Sequence, residues 1–234
     1  KAVLRGKINE WAATIEDSTL RDSVLKDTIV TGGAIASMLL RESVNDYDVY
    51  FRTKATTLAV AKYYIERFQP QKKHGIACSI SVMEEADRIK IMIKSAGIAS
   101  AEGTEKAYEY FESSPEGSAT DYVSEVMQDA GDIEETSQEE EAKAQKVKCN
   151  YKPVFASTNA ITLSDQIQIV LRFFGEPDAI HDNYDFVHCT NYWTSGNNEL
   201  VLRPAALESL LARELRYVGS KYPVCSIIRL RKFI

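Results

Sequence analysis

The sequence predicts a mixed α/β domain followed by a helical segment, and three observations lead to that prediction. Short β-branched runs alternate with amphipathic stretches along most of the 234 residues. The composition, 44% hydrophobic and 26% charged, is that of a chain able to bury a substantial core. From Pro204 onward the pattern is helical only. We therefore expect N-terminal helices over residues 1–24, an α/β head with a mixed sheet over 25–202, and a helical neck from 203 that is truncated at Ile234.

The individual elements follow from periodicity and from glycine and proline positions. Apolar residues at helical spacing begin the chain, and the β-branched run 28–31 then ends at Gly32-Gly33. The first half is thus predicted to contain a strand at 28–31, a helix at 34–41, a strand at 46–51, a helix at 56–68, and strands at 77–83 and 89–93. The second half is predicted to contain a hairpin of strands 154–163 and 166–173, a strand at 184–189, and helices after 204.

The charge of the chain is unevenly distributed. The formal net charge is −6, yet residues 112–146 alone carry eleven acids against Lys143 and Lys146. Such an acidic, apolar-poor stretch is typical of a solvated segment, so we interpret 112–150 as a flexible insertion; a partner-binding acidic strip is the alternative. Residues 203–234 are cationic instead, which would suit a polyphosphate or nucleic-acid ligand.

Composition also limits the functional classes. No apolar run is long enough to cross a bilayer, and the chain starts with neither a signal peptide nor an initiator methionine, so we expect a soluble fragment of a longer protein. The four cysteines lack metal-ligand spacing, which favours a reducing, cytoplasmic compartment. No Walker sequence, G-x-G-x-x-G, HExxH or Ser-His-Asp arrangement is present.

One local pattern indicates chemistry. Gly32-Gly33 follows a strand and opens a helix, a context in which backbone N–H groups favour an anion such as a triphosphate. Asp46 and Asp48 lie on the next predicted strand, where alternation places both carboxylates on one face. Paired carboxylates beside a phosphate site can share Mg²⁺ or Mn²⁺ with a nucleoside triphosphate. The alternative is a solvent-facing strand edge with no ligand.

The stretch from Gly32 to Asp48 resembles the signature G-G-x-V-R-D-x-L-L-G-R-x-x-x-D-x-D of the DNA-polymerase-β-like nucleotidyltransferases, in particular the head of bacterial CCA-adding enzymes and poly(A) polymerases. The resemblance implies that Gly32 and Gly33 hold the triphosphate and that Asp46 and Asp48 bind the catalytic metals. It further suggests Asp185 as a third catalytic carboxylate, with a turn, cap or structural role as the alternative. Lys54, and Arg229 near the end of the chain, are the suggested further nucleotide contacts.

The function implied by this resemblance is transfer of a nucleotide from an NTP to a hydroxyl, with an RNA 3′ end such as that of tRNA as acceptor and Mg²⁺ as cofactor. Two alternatives stay open: a toxin- or defence-type nucleotidyltransferase with another acceptor, encoded by a phage or mobile element, and an inactive protein that keeps the fold for binding. Ala36 and Ser37 replace the Arg and Asp of the signature and motivate the inactive alternative. Histidines 181 and 188 are predicted to be structural, hydrogen-bonded residues.

Overall fold

The computed structural model describes residues 1–68, 78–98, 105–109 and 151–220, together with positions 223, 226, 227 and 230. The chain divides into two compact units, the first made of residues 1–70, 80–91 and 150–220, and the second of 71–79, 92–149 and 221–234. The predicted acidic insertion and Arg229 lie outside the described residues. The predicted domain boundaries stay predictions.

The described residues form six α-helices and ten strands. The helices are α1 (Ala2–Ala13), α2 (Ser18–Asp27), α3 (Gly33–Leu40), α4 (Lys54–Arg67), α5 (Pro177–His181) and α6 (Pro204–Ala212). The strands are β1 (Thr28–Thr31), β2 (Tyr47–Phe51), β3 (Cys78–Glu84), β4 (Ile89–Ile98), β5 (Glu105–Glu109), β6 (Pro153–Ala156), β7 (Ala160–Leu163), β8 (Ile167–Val170), β9 (Tyr192–Thr194) and β10 (Glu199–Val201). A 3₁₀ helix spans Val187–Cys189. The predicted mixed α/β class is confirmed.

A seven-stranded sheet of order β10-β9-β1-β2-β8-β7-β6 organises the first unit. Neighbouring strands are antiparallel except β2 and β8, which run parallel. The second unit contains the antiparallel pairing of β4 with β5, in which Lys94 lies opposite Glu109. The seven-stranded sheet of the first unit is therefore mostly antiparallel, and its one parallel pair, β2 with β8, lies at the centre.

The two faces of the central strands are buried differently. Val49 and Phe51 on β2 are fully buried, and the Trp11 ring of α1 lies 6.4 Å from the Phe51 ring, so the helical side carries a hydrophobic core. On the opposite face, Ile29, Tyr50 and Ile180 form a second, smaller cluster. Asp48 shares this second face with Tyr50, because residues two apart on a strand point the same way.

Two predictions about the second half of the chain were wrong, and three short elements were missed. The predicted strand 154–163 is interrupted at 157–159, where the Ser157 N–H donates to the Ala160 carbonyl over 2.9 Å and closes a tight turn. The predicted strand 184–189 is a loop and a 3₁₀ helix, in which the Thr190 N–H donates to the carbonyl of Val187. Its alternating apolar pattern resembles a strand. Phe186 forms an isolated antiparallel bridge with Tyr217, in which the Val187 N–H donates to the Arg216 carbonyl over 3.0 Å, but this bridge does not extend into a strand. Helix α5 and strands β9 and β10 were not predicted, because elements of three to five residues carry too few periods to be recognised.

Candidate functional site

The glycine turn between β1 and α3 lies directly beside the carboxylate of Asp48. Thr31, the last residue of β1, pairs with Asp48 across the antiparallel ladder. Gly32 follows with φ +89° and ψ −153°, a conformation that side-chain-bearing residues rarely adopt. A Cβ placed on Gly32 would lie 2.6 Å from Asp48 Oδ2. The close approach of the turn to the acid thus depends on glycine at position 32.

The N-terminus of α3 opens toward this acid. Gly32 is the N-cap residue and supplies no side-chain cap, and Gly33, the first helical residue, is exposed. A Cβ at Gly33 would meet nothing within 4 Å. The first backbone N–H groups of a helix carry partial positive charge and bind anions readily. The turn therefore places an anion-binding helix end next to a carboxylate, an arrangement suited to a phosphate accompanied by a cation.

Asp46 and Asp48 converge on a third side chain, that of Gln168. Gln168 lies on β8, in register with Asp48 across the parallel pair. With its amide nitrogen turned to the acids, Gln168 donates to Asp48 Oδ1 and to Asp46 Oδ2, each over 3.1 Å. The two carboxylate oxygens are thus no more than twice that distance apart. Sequence reasoning missed Gln168, since only the pairing of β2 with β8 makes it a neighbour of the acids.

Asp46 precedes β2, but its segment is fixed to the sheet. The Tyr47 N–H donates to the Gln166 carbonyl over 2.7 Å, and the Gln166 side-chain nitrogen donates to the Val44 carbonyl over 3.1 Å. Asp46 is exposed and Asp48 is partly buried. Both carboxylates lie within hydrogen-bond reach of Gln168, and the turn before β8 fixes the backbone beside Asp46.

A buried hydrogen-bond network stabilises the glycine turn and the end of β1. The Gly32 N–H donates to the Cys189 carbonyl over 3.1 Å. The Thr31 hydroxyl lies 2.9 Å from the Asn191 carbonyl and 2.8 Å from His181 Nε2. The Thr31 hydroxyl donates its proton to the Asn191 carbonyl. We therefore assign His181 the tautomer that is protonated on Nε2, and this N–H donates to the Thr31 hydroxyl oxygen. Burial lowers the pKa of His181 to about 4, with a further lowering by Arg203 and an opposing effect of Asp178. His181 is buried and hydrogen-bonded, which favours the predicted structural role.

Tyr184 lies on the face of the sheet that carries Tyr50 and Asp48, with its ring 6.5 Å from the Tyr50 ring. Burial raises the pKa of Tyr184 well above its ordinary value, and the charges of Tyr50 and Asp48 raise it further. The Tyr184 hydroxyl stays protonated and donates to the Tyr50 hydroxyl over 3.1 Å. The Tyr184 ring is therefore held against Tyr50 on the sheet face that also carries Asp48.

Asp185 and Lys54 each interact with other residues. Asp185 is buried and raises the pKa of His188, against the larger lowering caused by burial. Over the described ranges, no group of three or more His, Cys, Asp or Glu side chains is arranged to hold a metal ion, so Asp185 does not join Asp46 and Asp48 in one cluster. Lys54 forms an ion pair with Glu84 at 3.0 Å and donates to the Glu85 carbonyl. The catalytic role of Asp185 and the nucleotide contact of Lys54 stay predictions.

These features define a class: a mixed α/β protein with a glycine turn, a helix N-terminus and two carboxylates at one edge of its central strands. A family model described as "Gabija anti-defense 2 family protein" matches residues 2–213. The chain belongs to this family. No curated protein and no solved structure matches it.

This membership corrects the earlier resemblance. The chain does not belong to the polymerase-β-like nucleotidyltransferases or to the CCA-adding enzymes, and the inferred addition of nucleotides to tRNA 3′ ends was wrong, as was a role in tRNA processing. The resemblance rested on a signature from Gly32 to Asp48, whereas the family match extends over nearly the whole chain. A short strand–turn–helix–strand signature fixes local geometry and does not by itself identify a family. In the part of the chain that the structure describes, no helix is long and apolar enough to span a membrane.

Proposed function

We propose that this protein counters the host defence named in its family description, the Gabija defence, and that it does so as a phage- or mobile-element-encoded enzyme. The partner is a component of that defence, and the substrate is a nucleoside triphosphate with a divalent cation. The observation that carries the proposal is the approach of Asp48 to the glycine turn, which brings a carboxylate pair to the N-terminus of α3.

The residues fit a divalent cation. Asp46 and Asp48 supply carboxylate oxygens, the ligands that Mg²⁺ and Mn²⁺ prefer, and Mg²⁺ commonly binds through one or two carboxylates together with substrate phosphates. The absence of a side chain at Gly32 leaves room for the Asp48 carboxylate beside the turn, since a Cβ there would lie 2.6 Å from Asp48 Oδ2. When bound, such a cation favours deprotonation of an attacking hydroxyl and neutralises charge on the phosphates.

The side chains and backbone of this site bind and orient the triphosphate. The uncapped N–H groups at the start of α3 attract phosphate oxygens, while the absence of a side chain at Gly32 allows them to approach the acid pair. In the proposed reaction a hydroxyl of the defence component attacks the α-phosphorus. The new O–P bond forms as the bond to the β-phosphate oxygen breaks, pyrophosphate leaves, and the hydroxyl proton passes to solvent.

Two assays test this proposal. In cells that carry the Gabija defence, expression of the wild-type chain should restore phage plaques, whereas Asp46→Asn and Asp48→Asn should not. Asp22→Asn is the matched control, since it makes the same chemical change at an exposed acid of α2. In vitro, the chain is incubated with α-labelled NTPs, Mg²⁺ and the purified defence proteins, and label should appear on one of them.

The outcomes separate the parts of the proposal. Plaques restored equally by the wild type and both site variants would show that the acid pair is dispensable and would contradict the enzymatic role. Failure of the wild type to restore plaques would contradict the anti-defence role itself. Label absent from every defence protein, with plaques still dependent on Asp46 and Asp48, would contradict transfer to a defence protein.

A further inference from the structure

Gln168 is a side chain of a neighbouring strand that reaches both acids. Strand β8 runs parallel to β2, and Gln168 pairs with Asp48 in the register, so their side chains project from the same face. One terminal atom of the Gln168 amide lies 3.1 Å from Asp48 Oδ1 and 3.1 Å from Asp46 Oδ2. Gln168 is partly exposed, which leaves the amide accessible from the site.

The amide can present either of two chemically opposite atoms at that point. With nitrogen inward, it donates a hydrogen bond to each carboxylate and compensates two adjacent negative charges. With oxygen inward, the same place holds a third oxygen beside the two carboxylate oxygens. A rotation about the last side-chain bond exchanges the two atoms and leaves the rest of the side chain unmoved.

The distances from the amide to the two acids are those of ordinary hydrogen bonds and are also compatible with a cation site. Mg²⁺ binds oxygens at about 2.1 Å in octahedral geometry, so adjacent ligand oxygens are separated by roughly 3 Å. The separations of 3.1 Å between the amide atom and each acid fall at this value. A neutral amide oxygen would complete a face of three ligands without adding a third negative charge.

We propose that Gln168 is a neutral third ligand of the divalent cation and that its amide switches between two states. Without the cation, its nitrogen holds Asp46 and Asp48 together; with the cation, its oxygen binds the metal. This inference rests on the proposed metal–nucleotide site. Because the amide adds no charge, the three protein ligands bind the cation alone only weakly, and nucleotide phosphates supply the remaining negative ligands.

Metal binding without nucleotide tests this directly. Binding of Mn²⁺ is measured by the electron paramagnetic resonance signal of free Mn²⁺ for the wild type, Gln168→Leu, Gln168→Glu and Asp48→Asn. Thr162→Val is the matched control, since Thr162 lies opposite Gln168 on β7 and shares its face. We expect Gln168→Leu to weaken Mn²⁺ binding at least tenfold, Gln168→Glu to tighten it about tenfold, and Thr162→Val to leave it unchanged.

A second measurement follows the switch itself. The side-chain NH₂ resonances of Gln168, identified by their loss in Gln168→Leu, should shift when Mg²⁺ is added and should show faster hydrogen exchange, since the bonds to the acids are then broken. Circular dichroism confirms that each variant is folded. The near-isosteric Gln168→Glu gives an independent result if Gln168→Leu fails to fold.

The possible failures are distinguishable. Absence of Mn²⁺ binding by the wild type would overturn the metal site and this inference together. Binding that is lost in Asp48→Asn but unchanged in Gln168→Leu would leave the site intact and overturn the ligand role of Gln168. Weakening in both Gln168→Leu and Gln168→Glu would identify Gln168 as a hydrogen-bond donor only and would also overturn it.

Discussion

Asp48 Oδ2 lies 2.6 Å from the point where a Cβ would stand on Gly32. Two residues sixteen positions apart in the chain are thereby in near contact, because β1 and β2 pair as antiparallel neighbours and Thr31 lies opposite Asp48. The acid therefore lies against the turn from which α3 begins. This contact is the geometric basis of the proposed site.

Gly32→Ala should abolish binding of the metal–nucleotide pair. The added methyl group would displace the Asp48 carboxylate, and alanine at φ +89° is strained at a cost of about 1–3 kcal/mol. Isothermal titration with Mn²⁺ and ATP measures the binding, and urea unfolding measures the free energy of unfolding.

Gly33→Ala is the matched control for that experiment. A Cβ at Gly33 meets no atom within 4 Å, and the residue lies at the start of α3 with ordinary helical conformation. We expect this variant to bind and to unfold like the wild type. If Gly32→Ala and Gly33→Ala lost binding of the metal–nucleotide pair equally, then a side chain at either position of the turn would be harmful. The contact with Asp48 would not then explain the loss of binding in Gly32→Ala.

Lys54→Met should alter stability slightly and leave nucleotide affinity unchanged. The ammonium group is engaged by Glu84 and by the carbonyls of Glu85 and Ala86 at the β3–β4 turn, and partly exposed ion pairs contribute about 1 kcal/mol or less. Urea unfolding and ATP titration measure the two quantities. A tenfold loss of ATP affinity with unchanged stability would instead support the sequence prediction of a phosphate contact.

The free energy of unfolding of the first unit should decrease as the pH is lowered through a window set by the pKa of His181. Its pKa is about 4 in the folded chain against an ordinary value of 6.5, so between these values the unfolded chain binds a proton that the folded chain does not. The stabilisation is thus fully present above about pH 6.5 and decreases toward pH 4, by up to about 3 kcal/mol.

His181→Gln isolates this contribution. Glutamine can still donate to Thr31 but does not titrate, and His188 is retained in both proteins. We expect the difference in free energy of unfolding between the wild type and the variant to shrink as pH falls from 7 to 4.5. Parallel pH profiles for the two proteins would show that His181 is not the titrating group.

Tyr64→Phe should destabilise the helical side of the sheet by about 1–3 kcal/mol. The buried Trp11 indole N–H donates to the Tyr64 hydroxyl over 2.7 Å and would lose its partner. Tyr63→Phe removes only an exposed acceptor for the Glu16 N–H and should change stability by about 0.5 kcal/mol or less. Thermal unfolding of the two variants compares them, and similar melting temperatures would refute the assigned importance of the indole bond.

Much of the first half of the fold could be predicted, since periodicity and glycine position act locally. The helix–strand order from α1 to α4 agrees with the predicted order within a few residues. The second half was predicted less well, because strands such as Tyr192–Thr194 are stabilised by pairing with β1 rather than by their own pattern. Tertiary pairing overrides local preference most easily in such short segments.

The amino-acid order alone determined the mixed α/β class, the strand–turn–helix unit around Gly32, and a pair of acids two positions apart that point to the same side of an extended chain. Each of these follows from backbone sterics and side-chain alternation over a few residues. The three-dimensional pairing of distant strands decided the remainder: that Asp48 abuts Gly32, that Gln168 reaches both acids, and that Tyr184 packs against Tyr50 on the same face. Such neighbours depend on strand order and register, which arise when the whole sheet buries its apolar faces and which no single stretch of residues encodes.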